Sequence, residues 1–166
     1  MKALVLFITL FSPAALIAQG KSVNLGGMEM SYRLRADSIY ITLSAPTTGW
    51  IGIGFNSQNS IVKSDLILFH IIDNQTEAVD MYVVAAGNPQ KDDNLGGQQS
   101  ITVKHSLEAE GKTTVRFSVA LRSRDRYDYQ HNPGDDFWLI LAYSTHDEFE
   151  HHSRMRKHIK YRFSDD

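Results

Sequence analysis

Residues 38–43, Ser38-Ile39-Tyr40-Ile41-Thr42-Leu43, alternate polar and apolar side chains one by one, and residues 113–119 repeat the pattern with Val115, Phe117 and Val119 on one face. Successive side chains of an extended chain point to opposite sides, so a period of two buries one face and wets the other only in a strand. Residues 28–35, 50–55, 77–84, 99–105 and 157–163 also read as strands. Residues 65–72 and 137–143 are nearly continuous apolar runs and read as more deeply buried strands. Turn-forming clusters separate them, among them Leu25-Gly26-Gly27, Thr48-Gly49, Asp73-Asn74, Gly96-Gly97, Gly111 and Asn132-Pro133-Gly134. No stretch carries a convincing helical period. The chain is therefore expected to be all-β, a single antiparallel β-sandwich of about nine to eleven strands.

The first residues lie outside that pattern. Met1-Lys2 is a short positive start, residues 3–17 are an apolar run broken by Ser12-Pro13, and Ala18-Gln19-Gly20 follows. Residues 1–19 have the layout of a signal peptide, with cleavage near Ala18 or Gln19, and residues 20–166 form one domain. No later segment approaches the roughly 18 apolar residues of a spanning helix. The expected product is exported, to the periplasm, the cell surface or the medium, without a membrane span of its own. Without Lys2 it carries 16 basic against 19 acidic residues, a net charge of −3, which does not favour nucleic acid. The chain has no cysteine, which removes disulfides, thiolate metal sites and cysteine nucleophiles at once. Asn74-Gln75-Thr76 would accept a glycan in a eukaryotic secretory pathway.

Several segments carry candidate chemistry. In Trp50-Ile51-Gly52-Ile53-Gly54-Phe55 the two glycines share one strand face, which reads either as a flat ligand floor or as a crowded sheet contact. Asp65 opens a buried strand and is expected to accept amides of the preceding loop. His70, inside an apolar run, reads as a hydrogen-bonded core or surface residue. Residues 87–97 cluster Asp and Asn without the spacing of an EF-hand and read as a solvated loop. Residues 121–129 carry mixed charge and suit a polar binding loop or an edge that discourages strand pairing. Adjacent His151 and His152 follow a hydrophobic strand on a polar loop, and imidazole is the commonest metal ligand. No Gly-x-Ser-x-Gly, His-Glu-x-x-His or phosphate-cradling loop is present, and the carboxylates do not pair for glycoside hydrolysis. Hydrolysis therefore has no support, and no independent enzyme is implied.

Residues 49–57 (GWIGIGFNS), 63–73 (KSDLILFHIID), 79–97, 113–129, 136–145 (DFWLILAYST) and 151–157 (HHSRMRK) together resemble the DOMON domain, in that family's order. The resemblance implies a β-sandwich that binds haem b or sugars. In haem-binding members a methionine and a histidine hold the iron. The histidine lies in the loop before the last strand, matching His152 best and His151 next. The methionine belongs to the loop after the Trp-x-Gly-x-Gly-Phe strand, where this chain has Ile61. An isoleucine cannot ligate iron, so five-coordinate or weak haem binding is expected. Lys63 stands nearby as a neutral-amine substitute, with Met81 and His70 as remoter ones. The resemblance further implies a haem held between the sheets, with Trp50, Phe55 and Phe69 as pocket walls, and an envelope or membrane redox partner. A carbohydrate-binding module, and a cell-surface interaction domain with no redox role, are the alternative readings.

Overall fold

The computed structural model describes residues 21–164, so the signal segment expected at 1–19 lies outside the described residues. Among them are eleven strands: β1 (Lys21–Leu25), β2 (Met28–Arg35), β3 (Ser38–Ala45), β4 (Ile51–Asn56), β5 (Asp65–Ile72), β6 (Gln75–Ala85), β7 (Asn88–Lys91), β8 (Thr102–Ala109), β9 (Lys112–Ala120), β10 (Asp136–Tyr143) and β11 (Met155–Arg162). They form a five-stranded sheet, β1-β2-β3-β9-β8, and a six-stranded sheet, β11-β10-β4-β5-β6-β7. Every pairing is antiparallel. The sheets stack as a sandwich, as the alternation requires. No described helix is long and apolar enough to cross a membrane.

The core is made by the inner faces. Ile39, Ile41 and Leu43 of β3 and Val115 and Phe117 of β9 come from one sheet; Ile51, Ile53, Phe55, Phe69, Leu139 and Leu141 come from the other. Each full burial of such a side chain stabilises by about 1.5–3 kcal/mol. At one end Phe55, Phe137 and the buried His131 make edge-on ring contacts 4.5–5.9 Å between centroids, and Phe163 meets His131 edge-on at 5.3 Å. Phe69 and Phe117 meet across the sheets at 4.7 Å.

The structure differs from the sequence reading in three places. Lys21–Leu25 pairs with β2 as an edge strand, although Ser22 and Asn24 make it only half apolar. The strand expected at 99–105 is shifted to Thr102–Ala109, because the shift brings it into register with β9. Residues 87–97 are not simply a solvated loop. Asn88–Lys91 pairs with β6, with Pro89 tolerated because this is the sheet edge. A single 3₁₀ turn, Asp92–Leu95, follows and buries Asp92.

Candidate functional site

β4 is buried along all six residues, so both faces of the six-stranded sheet are covered at its centre. Ile51, Ile53 and Phe55 face the core. Gly52 and Gly54 face outward, beneath side chains of the neighbouring strand. A Cβ at Gly52 would lie 2.4 Å from Leu68 Cδ2, and one at Gly54 would lie 2.4 Å from Leu66 Cδ2. The glycines are therefore a recess into which the leucines lean. Across β10, Ile140 and Ala142 pair with Gly54 and Gly52 and extend the apolar strip. Met81 of β6 pairs with Leu66. The outcome is a groove of about 440 Å³ on the outer face of the sheet. Its size is typical of a small-molecule site.

Two loops wall this groove. The 57–64 loop brings Ile61, and the 144–154 loop brings Phe149, His151 and His152. Asn56 shapes the first loop. Its buried side-chain amide donates to the Ser60 carbonyl (2.7 Å), the Val62 carbonyl (3.0 Å) and Ser64 Oγ (3.0 Å), and its Oδ1 accepts the Gln58 N–H (3.0 Å). Lys63, at φ +66°, donates its N–H to Val83 (2.8 Å), and its side chain does not line the groove. The second loop is tied to the start of β4: Trp50 N–H donates to the His146 carbonyl and Ser144 N–H to the Trp50 carbonyl, both at 2.9 Å. Gly49 permits this, since a Cβ there would lie 2.5 Å from His146 N.

The two candidate histidines differ in their engagements. The His151 ring stacks on His146 at 4.3 Å and its Nε2 is 3.8 Å from a Glu148 carboxylate oxygen, within an exposed His146–Glu148–His151 cluster. No described side chain engages the His152 imidazole; its backbone carbonyl accepts a long bond from Ser144 Oγ. His152 is thus the ring with both nitrogens uncommitted. His70 is excluded as a substitute ligand: its Nδ1 pairs with the Asp147 carbonyl (2.8 Å), its Nε2 with Glu77 (3.1 Å), and its ring stacks on Phe149. It is the hydrogen-bonded residue its sequence context suggested. Met81 does line the groove.

The expectation of a ligand seated between the sheets is overturned, because Phe55, Phe69 and Phe117 fill that space to under 2% exposure. Of the three expected wall residues only Trp50 faces the groove, and its buried indole Nε1–H has no acceptor among the described residues. Asp65 bonds the Tyr129 N–H at 2.8 Å rather than amides of the preceding loop, since the 121–131 segment closes over the end of β5. A larger depression, about 590 Å³, lies on the outer face of the five-stranded sheet against Arg33, Arg35, Lys104 and Arg116. That face carries the polar half of the alternation, so the depression is the wet side of a sheet and not a built site.

Comparison with known proteins gives a consistent family. The DOMON domain matches residues 24–144. A mouse protein described as DBH-like monooxygenase protein 2 is 26% identical over 121 residues, 72% of this chain but 19% of that protein's length. Two solved structures share the fold. The cytochrome b domain of pyranose dehydrogenase from Coprinopsis cinerea superposes with a TM-score of 0.62 at 12% identity, covering 81% of this chain and 76% of its own. The cytochrome domain of Myriococcum thermophilum cellobiose dehydrogenase gives 0.63 at 13% identity, covering 89% and 78%.

Proposed function

This chain belongs to the DOMON domain family, and on that premise we propose that it is an exported haem b-binding electron-transfer module using the outer-face groove, with His152 as the iron ligand. The observation that carries the reading is that His152 and position 61, chosen from the family's order of motifs, line one apolar groove floored by glycine. The residues suit a flat macrocycle. Gly52 and Gly54 let Leu68 and Leu66 lie close against the sheet, these leucines and Ile140 supply apolar contact, and Trp50 offers an unused donor. The two cytochrome-domain neighbours support the same class of ligand.

Haem, when bound, would supply one-electron redox chemistry. This chain's residues do the rest. His152 would donate a nitrogen and the apolar walls would exclude water and so tune the potential, while the Asn56 network fixes the loop that carries Ile61. With isoleucine at 61, that loop offers no side chain able to ligate iron, and Met81 is the thioether that lines the groove.

Haem reconstitution followed by absorption spectroscopy tests this. A Soret band with a high-spin, five-coordinate spectrum is expected for the native chain, and a shift to low spin with tighter binding for Ile61→Met. His152→Ala should abolish uptake, and Ile61→Met in that background should not restore it. If neither the native chain nor Ile61→Met takes up haem, the redox reading fails; an oligosaccharide bound in the groove would then leave the carbohydrate-binding reading standing.

A further inference from the structure

The inner face of the six-stranded sheet holds the least expected residues of the fold. Asp65 sits opposite Phe55, and Asp80 sits opposite Ile67, at positions the alternation reserves for core side chains. Both are buried, with 7% and 5% of their surface exposed, and Asp92 of the 3₁₀ turn is buried to 1%. Asp128, on the segment that closes this end of the sandwich, links two groups. Asp65, Asp80 and Asp128 each offer an oxygen within 4.8 Å of the others, and so do Asp92, Asp125 and Asp128.

Their hydrogen bonds are incomplete in a particular way. One oxygen each of Asp65 and Asp80 accepts a backbone N–H, from Tyr129 (2.8 Å) and Ser100 (2.9 Å). The other oxygen of each has no partner, nor does either oxygen of Asp92 or Oδ1 of Asp128, so five buried carboxylate oxygens are unsatisfied. Among the described residues no lysine or arginine forms an ion pair with them: of the arginines in the adjoining segment, Arg122 donates to Asn132 Oδ1 and Arg126 to the Leu95 carbonyl and the Tyr127 hydroxyl. Unsatisfied buried carboxylates cost far more than neutral groups unless something positive joins them. A cavity of about 10 Å³ opens among Asp65, Asp80, Asp128 and His131, room for one water-sized occupant.

We propose that Asp65, Asp80, Asp92, Asp125 and Asp128 form a calcium-binding site that staples β5, β6, the 3₁₀ turn and the 121–131 segment together. The donors are all hard oxygens, the set calcium prefers. Calcium–oxygen bonds of about 2.4 Å keep any two oxygens on one ion within about 5 Å of each other, the spacing found inside each of the two triads, Asp65–Asp80–Asp128 and Asp92–Asp125–Asp128, which share Asp128. The chain supplies these ligands from four separate segments, so the site differs from a continuous EF-hand loop and leaves no sequence spacing to match.

Terbium luminescence on the purified protein tests the proposal. Terbium replaces calcium at oxygen sites, and Tyr127 and Tyr129 adjoin the cluster as sensitisers. Tyrosine-excited terbium emission is expected, displaced by calcium at or below about 1 mM and by magnesium only at concentrations at least tenfold higher. Calcium should raise the thermal midpoint at pH 7.5, with EGTA as the reference. Asp92→Asn should weaken calcium at least tenfold, whereas the exposed His146→Ala should leave it unchanged. Absence of calcium-displaceable emission in the native protein overturns the proposal whether or not any variant folds. So does a thermal shift that Asp92→Asn retains in full, which would put the cation elsewhere.

Discussion

Asp80 and Met81 are neighbours on β6 that point to opposite faces of one sheet, and the two faces break the alternation rule in opposite senses. On the outer face, where solvent-facing polar residues are expected, Gly52, Leu66, Leu68, Ile140 and Ala142 make an apolar recess, with Gly54 beneath Leu66. On the inner face, where apolar residues are expected, Asp65 and Asp80 carry carboxyl groups into the sandwich end. The five-stranded sheet shows neither departure near its centre: Ile39, Ile41 and Leu43 point in, and Tyr40 and Thr42 point out. Both departures oppose folding when left unfilled. An apolar outer face leaves its surface in water, and an acidic inner edge leaves charges out of it. Local rules fail where a structure is shaped for something besides its own stability.

The first way to break this comparison is to weigh the two faces directly. Phe55→Ala, in the filled inner core, is expected to cost about 3–5 kcal/mol in urea denaturation. Leu68→Ala, on the outer face, should cost less than half as much, because its far side is open groove rather than packed core. Equal costs would mean that the outer face is ordinary core.

Gly52→Val comes next. Its new methyls would meet Leu68, so a loss of about 1–3 kcal/mol from overpacking is expected. Haem uptake should fall with it. Uptake at the native level would show that the glycine recess is not the ligand's seat.

The acidic end is sharpened by pH. Folded-state values of about 8 for Asp80 and about 7 for Asp92 lie above the ordinary carboxylate value of 3.8. The folded chain therefore holds protons that the unfolded chain has released, and calcium-free stability falls as the pH rises to about 8. His131 acts oppositely and lower: burial depresses it to about 3, so its contribution is present above 6.5 and is lost as the pH falls toward 3. Between pH 6.5 and 8 only the aspartates act, with Asp93 and Asp125 adding like charge. Thermal melts in EGTA should decline across that window, and saturating calcium should remove the decline. Asp92→Asn should raise calcium-free stability at pH 8 by about 1 kcal/mol, since it deletes a buried charge without a partner. A decline that calcium leaves untouched would mean that protons alone occupy the cluster.

The smallest effect expected is that of His151→Ala. This ring is exposed and engaged by His146 and Glu148, so stability should stay within about 0.5 kcal/mol and haem spectra should be unchanged. A lost Soret band here, with His152→Ala silent, would reverse the ligand assignment.

Alternation along residues 28–35, 38–43 and 113–119 was enough to determine strands with one buried face, and hence a two-layer antiparallel sandwich, because period two admits no other way to bury those residues. The order of the motifs was enough to select the family and positions 61 and 152. The sequence could not say which side of the sheet those positions share. That depends on which face β4 turns toward β9, and Gly52 and Gly54 read equally well as a ligand floor or as a sheet contact until Leu66 and Leu68 are seen leaning over them. The acidic cluster was less legible still. Asp65, Asp80, Asp92, Asp125 and Asp128 are scattered along the chain, and only the pairing of β5 with β6 and the fold-back of the 121–131 segment bring their oxygens together. One sign was available, an aspartate at 80 between Val79 and Met81 where a core residue belongs. Periodicity is a local property that a short window of residues carries in full, whereas convergence of distant side chains is created by the tertiary fold.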